Sequence, residues 1–282
     1  MINTGYQQFN NDNLGITLNV NIGLLKADRL LENRTVFITG AAGGIGFAIA
    51  EACISQGAKV IVTDIDEVLL SQAKERLGDA CACMRFDVLD FDTYDDVLEK
   101  AGSFFGKIDC LVNNAGISLH EGDMMNVTVG TWDRQLDINL KAPYFLTQAW
   151  LRYYKRNEMK NGRIVMLASD TSGMGSSIPY GLAKSGIASL TVGLAKKLIA
   201  DGIRINAMAP GTTKTKMTDD FTHGEICRAT TQGKRVIFPE EIAQTAVFLL
   251  SDLSACISGQ IIGCTESNIC FDNSYREEET NP

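Results

Sequence analysis

From Thr35 onward, short apolar runs alternate with longer stretches of helical periodicity. Seven such runs occur: TVFIT (35–39), KVIVTD (59–64), residues 81–86, IDCLV (108–112), GRIVMLA (162–168), IRINA (203–207) and GQIIG (259–263). Helical stretches separate them, beginning with GIGFAIAEACISQG and continuing from Glu67; the longest cover 131–156 and 179–201. The apolar runs show little in/out alternation, so each reads as a strand buried on both faces, the environment of a parallel sheet. Strands alternating with helices predict the α/β class: a doubly wound (Rossmann) seven-stranded parallel sheet with helices on both faces, in three α/β/α layers. The crossovers are expected to be right-handed.

This pattern divides the chain. Residues 30–268 are expected to form a single domain. Residues 1–29 are polar and Asn-rich, with Ile16, Leu18, Val20 and Ile22 alternating as in a weak strand. They read as an arm outside the core, either free or packed on a neighbouring subunit. Residues 269–282 end in REEETNP and read as a solvated tail. There is no internal repeat.

Composition narrows the functional classes. The 282 residues are 45% hydrophobic and 21% charged, which suits a globular domain with a sizeable core. A net charge of −8 argues against a nucleic-acid partner, which wants a basic face. No basic stretch precedes a long apolar run, and no run approaches the roughly 20 residues a spanning helix needs. The expectation is a cytoplasmic protein with no membrane partner. The eight cysteines (53, 81, 83, 110, 227, 256, 264 and 270) are scattered, and the C-x-C at Cys81 and Cys83 lacks partners at zinc-ligand spacing. They are expected to be reduced thiols, and no metal is expected.

The first chemical signal follows the first strand. In Thr39-Gly40-Ala41-Ala42-Gly43-Gly44-Ile45-Gly46, glycines sit where a strand turns tightly into a helix. Such a turn lets backbone approach a pyrophosphate, and the helix N-terminus offers unpaired N–H groups and a positive dipole end. Asp64 ends the second strand, where a carboxylate can accept hydrogen bonds from both ribose hydroxyls of an adenosine. It would repel a 2′-phosphate by about 4 kcal/mol at a separation of about 4 Å and an effective dielectric of about 20. Neither Gly43 nor Ile65 offers a compensating cation. NAD is therefore expected over NADP.

With these residues the sequence resembles the short-chain dehydrogenase/reductase family, in its single-domain branch, over about residues 30–268. TGAAGGIG (39–46) matches the cofactor loop, and Asp87-Val88 the pair beside the adenine ring. Asn113-Asn114-Ala115-Gly116 matches the motif closing the fourth strand. Asn139, mid-helix, falls where the family keeps a catalytic asparagine. Tyr180-x-x-x-Lys184 matches the active-site pair. Pro210-Gly211 through Thr213 and Thr215 matches the segment that clasps the nicotinamide carboxamide. The catalytic serine usually lies about thirteen residues before the tyrosine, which here is Leu167; counting from Gly162 at the start of the strand gives Ser169, with Ser172 as runner-up. Two features depart from the family. Thr265-Glu266-Ser267 stands where Asp-Gly-Gly often ends the last strand, in a region that commonly packs between subunits. The N-terminal arm is also longer than usual.

The resemblance implies an NAD-dependent oxidoreductase acting on a CH–OH or C=O group, and a homotetramer or homodimer. Tyr180 would exchange a proton with the substrate oxygen. Lys184, one helical turn away, and the nicotinamide ring would lower its pKa. Ser169 would hydrogen-bond the same oxygen, Lys184 would hold the nicotinamide ribose, and Asn139 would position a water linking Lys184 to solvent. His120, His223, Met124, Met125, Met174, Met217, Asp170, Thr171 and Ser176 are candidate substrate-pocket residues. The substrate remains open among a polyol, a sugar acid, a hydroxysteroid and a 3-hydroxyacyl chain. Two other functions fit less well: a catalytically silent NAD-binding sensor or scaffold, and a sugar-nucleotide epimerase or dehydratase.

Overall fold

The computed structural model describes residues 5–11, 16–22, 29–173, 175–223, 225–227, 231 and 233–266. Strands β1 (Gly5–Asn11) and β2 (Ile16–Ile22) form an antiparallel two-stranded sheet of their own. The arm read from the sequence thus contains two paired strands, and β2 coincides with its alternating segment. The tail at 269–282 lies outside the described residues.

Seven strands make the main sheet: β3 (Thr35–Thr39), β4 (Lys59–Asp64), β5 (Cys81–Arg85), β6 (Cys110–Asn113), β7 (Arg163–Leu167), β8 (Arg204–Pro210) and β9 (Ile261–Cys264). Their spatial order is β5-β4-β3-β6-β7-β8-β9, with every neighbouring pair parallel. The fold is the doubly wound one expected. The winding reverses between β3 and β6, and the crevice beyond their carboxyl ends is the place such a sheet offers a ligand.

Strand residues still alternate in direction, but both directions lead into apolar layers. Val36, Ile38, Val60 and Val62 face a cluster with Ile49 and Cys53 of helix α1 (Gly44–Ser55), Leu70 and Ala73 of α2 (Glu67–Leu77), and Val247 and Leu250 of α8 (Pro239–Leu250). Phe37, Ile61, Leu111 and Ile164 face the opposite layer. That layer is formed by α3 (Tyr94–Phe105), α5 (Ala142–Arg156) and α6 (Pro179–Leu198). Trp150 of α5 is its largest fully buried side chain, and its indole N–H donates to the Ile108 carbonyl at 3.1 Å. A buried side chain of this kind contributes roughly 2–3 kcal/mol through burial alone, provided its polar atom keeps a partner.

The stretch 131–156 expected as one helix is more structured than that. Thr128 caps α4 (Val129–Leu136) through a reciprocal bond with Thr131. A single π turn, Asp137–Lys141, then joins α4 to α5 without a break, with the buried Asn139 at its centre. π turns rearrange the backbone ladder locally and concentrate at functional sites. Pro179 opens α6, its ring preset for the first helical position, so Tyr180 sits in the first turn with Lys184 a turn further in.

Candidate active site

A cavity of about 640 Å³ opens beyond the carboxyl ends of β3 and β6. At one end lie Gly40, Gly43, Gly44 and Ile45, where β3 turns into α1. Gly40 has φ +59°, and a Cβ there would stand 2.8 Å from the Ala115 Cα, so this close approach admits only glycine. A Cβ on Gly43 would meet no atom within 4 Å and would point into open space. Gly43 also leaves the N-terminus of α1 without a side-chain cap. Asp64 stands at the edge of the same cradle. Its Oδ1 accepts from the N–H groups of Ile65 (2.8 Å) and Asp66 (3.2 Å), and its Oδ2 from Ala42 (3.2 Å).

Asn114 couples the ends of β3 and β6. Its Nδ2 donates to the carbonyls of Thr39 (2.9 Å) and Gly40 (2.8 Å), while Thr39 Oγ1 accepts from the N–H groups of Asn114 and Ala115. Gly46 does not line the cavity. It makes room for this clasp, because a Cβ there would lie 2.5 Å from Asn114 Nδ2. Asp87, Val88, Ala115, Gly116, Pro210, Gly211, Thr213 and Thr215 all line the cavity, and Pro210 is the last residue of β8 rather than part of a loop.

The other wall carries Ser169, Tyr180 and Lys184. Ser169 follows β7, is buried, and donates its hydroxyl to Asp170 Oδ1 at 2.9 Å. Lys184 is buried and donates to the Leu167 carbonyl at 2.7 Å; burial pushes its pKa down to about 8. The Tyr180 pKa is raised, first by burial, against which a hydrogen bond with Ser169 works; the Asp170 charge raises it further. The lowering by Lys184 expected from the sequence is thus not what dominates. The ammonium sits 5.7 Å from the Tyr180 ring centroid and is bonded to a carbonyl, and desolvation of the phenolate outweighs it. The phenol of Tyr180 therefore keeps its proton at neutral pH.

Residues 40–265 match a family model described as enoyl-(acyl carrier protein) reductase. The 3-oxoacyl-[acyl-carrier-protein] reductase FabG of Thermotoga maritima is 36% identical over 242 residues, covering 83% of this chain and 96% of that protein. The Escherichia coli protein of the same name is 34% identical over 237 residues, covering 82% and 95%. A solved short-chain dehydrogenase/reductase of Brucella melitensis, named glucose/ribitol dehydrogenase, superposes with a TM-score of 0.79 at 31% identity over 86% of this chain and all of that one. A 3-ketoacyl-(acyl-carrier-protein) reductase from the same organism, solved in complex with NADH, gives 0.78 at 28% identity over 84% and 99%. The chain belongs to the short-chain dehydrogenase/reductase family.

Within this dehydrogenase/reductase the remaining candidates separate. Asn139 is fully buried, and its amide clasps the backbone of Ile117, donating to the carbonyl at 2.9 Å and accepting from the N–H at 3.1 Å. It flanks Gly116 together with Lys184: a Cβ on Gly116 would lie 2.7 Å from Asn139 Oδ1 and 3.5 Å from Lys184 Nζ. The Ser172 hydroxyl turns back to the Ser169 carbonyl, and Ser172 is absent from the cavity wall. Asp170, Thr171, His120 and Met217 line the cavity. His120 Nε2 donates to the Met217 carbonyl at 3.1 Å, joining the loop after β6 to helix α7 (Lys216–Thr222). His223, Met124, Met125 and Ser176 do not line the cavity. His223 is the exposed left-handed cap of α7, Met124 and Met125 are exposed, and Ser176 bonds the backbone of Ile178. Met174 lies outside the described residues.

Two supports have no motif. Gln135 of α4, fully buried, accepts from the Leu119 N–H at 3.2 Å and donates to Glu121, fixing the loop that carries His120. Arg235 makes a two-pronged bond to Glu241 at 2.7 Å and pairs with Glu266, tying the segment after α7 to α8 and to the end of β9. Glu266 falls in the stretch that replaces Asp-Gly-Gly. A buried glutamine at an inward helix position is the one signal that would have exposed the first; the second joins positions up to 31 residues apart and has no local signature.

The described cysteines are all free. Cys53, Cys81, Cys110 and Cys227 are buried and Cys256 is exposed. Among the described residues no group of three or more His, Cys, Asp or Glu side chains is placed to hold a metal ion, and no described helix is long and apolar enough to cross a membrane.

Proposed function

We propose that the protein transfers a hydride between NAD(H) and the CH–OH or C=O group of a small alcohol or ketone, with Tyr180 as the acid and base. The observation that carries this reading is a single cavity with a glycine-rich cradle and Asp64 at one end and Ser169, Tyr180 and Lys184 at the other. The residues fit a dinucleotide: Gly43 leaves open space, the α1 N-terminus is uncapped, and the backbone-oriented Asp64 carboxylate suits ribose hydroxyls. Gly40, Gly44, Ile45, Asp87, Val88, Asn114, Ala115, Gly116, Pro210, Gly211, Thr213 and Thr215 would line its path. When bound, the cofactor supplies or accepts the hydride.

The chain's own groups handle the proton. The phenol of Tyr180 donates to the carbonyl oxygen as negative charge develops there, and takes the proton back in the oxidative direction. The Ser169 hydroxyl rotates from Asp170 to that oxygen and stabilises the same charge. Lys184, held by the Leu167 carbonyl, would hold the nicotinamide ribose and return protons towards Tyr180. Asn139 would position a water between Lys184 and solvent; the support is that both side chains flank Gly116. In this reading the protein is cytoplasmic and associates as a homotetramer or homodimer, supported by the exposed Tyr144 and Phe145 on α5 and Leu182 and Val192 on α6. The test is a panel of alcohols with NAD+ and of ketones with NADH, followed at the nicotinamide absorbance. Turnover with at least one pair is expected; silence across a broad panel would favour a sensor.

A further inference from the structure

The carboxylate of Asp170 is not used by the proton chemistry, yet it lies on the cavity wall beside Ser169 and Tyr180. One oxygen is committed: Oδ1 accepts from Ser169 Oγ at 2.9 Å and from the Thr171 N–H at 2.9 Å. The other, Oδ2, receives no hydrogen bond from a described residue, and no described Lys, Arg or His lies within 4.0 Å to pair with the charge. Beside it, the hydroxyl of Thr171 is buried without a partner, and Thr171 also lines the cavity. Asp170 is only partly buried, so its uncommitted oxygen is within reach of a ligand that enters the cavity. Ser118 and His120 line the same cavity and bond each other at 3.2 Å.

We propose that Asp170 is a specificity-determining residue that selects a neutral substrate with a hydroxyl on the carbon next to the reacting carbinol or ketone: a vicinal diol or α-hydroxyketone. One distance supports the adjacency. Asp170 Oδ1 stands 2.9 Å from the Ser169 Oγ, so the carboxylate reaches the group next to the oxygen that Ser169 would hold. A neighbouring hydroxyl donates to Oδ2. A neighbouring carboxylate would meet a like charge in a confined wall and leave Oδ2 unsatisfied. The choice left open by the sequence thus falls on polyols and against sugar acids. This inference rests on the oxidoreductase reading above.

The test uses three matched probes: 1-hydroxy-2-butanone, 2-butanone and 2-oxobutanoate, which place CH2OH, CH3 or a carboxylate beside the same ketone. With NADH, the wild type is expected to favour the hydroxyketone over 2-butanone by about tenfold or more in kcat/KM, as one charge-assisted hydrogen bond allows, and to leave 2-oxobutanoate unreduced. Asp170→Asn keeps an oxygen for Ser169 and Thr171 while replacing the open carboxylate oxygen by an N–H donor. It is expected to lose most of the tenfold preference and to gain 2-oxobutanoate turnover. Binding gives a readout without chemistry: 1,2-butanediol should bind the enzyme–NADH complex about tenfold tighter than 2-hydroxybutanoate, by nicotinamide fluorescence, and Asp170→Asn should reverse the order. Ketone turnover with unchanged ratios in the variant, or equal binding of the diol and the hydroxyacid, overturns the assignment of Asp170. Absence of NADH binding overturns instead the oxidoreductase reading beneath it.

Discussion

The ammonium of Lys184 donates to the main-chain carbonyl of Leu167 at 2.7 Å, so helix α6 is pinned to the end of β7 two residues before Ser169. This bond ties the strand end that precedes the serine to the helix that carries the tyrosine. It also holds an amine where burial disfavours its charge.

That burial gives a pH signature. The folded pKa of Lys184 is about 8 against an ordinary 10.5. Below both values the folded and unfolded chains are equally protonated, and the cost of burying the charge is carried in full. Between them the unfolded chain binds more protons, so stability rises with pH. At about 1.36 kcal/mol per unit the rise is on the order of 3 kcal/mol. Lys184→Met should therefore be more stable relative to wild type at pH 7 than at pH 10.5, measured by chemical denaturation at each pH. A stability difference that does not change with pH contradicts the buried-charge account. The variant should also lose turnover.

The clasp between β3 and β6 predicts a packing lesion. In Gly46→Ala the added methyl would meet Asn114 Nδ2 at 2.5 Å and the Gly40 carbonyl oxygen at 2.7 Å. Overpacking of this kind costs roughly 1–3 kcal/mol. Because the displaced atoms shape the cradle, NADH affinity should fall together with stability. Normal affinity in a destabilised variant would show that the clasp is structural alone.

Much of this arrangement was legible in the sequence. The seven runs located the strands because the central ones are buried on both sides, and the glycines of 40–46 marked where the first helix begins. Ser169 was reached by counting along β7, and the structure puts it on the cavity wall. What stayed hidden is set by contacts between distant parts of the chain. The π turn at Asp137–Lys141 packs against α6, a neighbour that local propensity does not reveal. The raised Tyr180 pKa depends on burial, which i,i+4 spacing does not reveal. The Asp170 carboxylate looks like any turn aspartate until its neighbours are known.

Asp64 predicts the cofactor preference. A repulsion of about 4 kcal/mol with a 2′-phosphate, at roughly 1.4 kcal/mol per decade, implies an NADH preference over NADPH on the order of a hundredfold or more. Fluorescence titration with both cofactors measures it. Asp64→Ala should weaken NADH and narrow the ratio to within about tenfold. Equal affinities in the wild type would contradict the assignment.

The Arg235–Glu241–Glu266 group predicts a coupled loss. Arg235 is 9% exposed and bridges both carboxylates. Its carboxylate partners stay partly exposed, so losing the guanidinium costs roughly 1–3 kcal/mol. Arg235→Ala should lower the melting temperature and raise KM, because the segment after α7 loses its tether, with kcat less affected. A large drop in kcat at unchanged KM would place the effect in the chemistry instead.

The role of Tyr180 is tested most directly by comparing turnover and NADH binding in Tyr180→Phe. The phenol supplies the proton and the ring fills the same space, so kcat/KM should fall by about 10²–10⁴-fold while the NADH dissociation constant stays within about twofold of wild type. Turnover within a few-fold of wild type, with NADH bound normally, would contradict the assignment of Tyr180 as the acid and base.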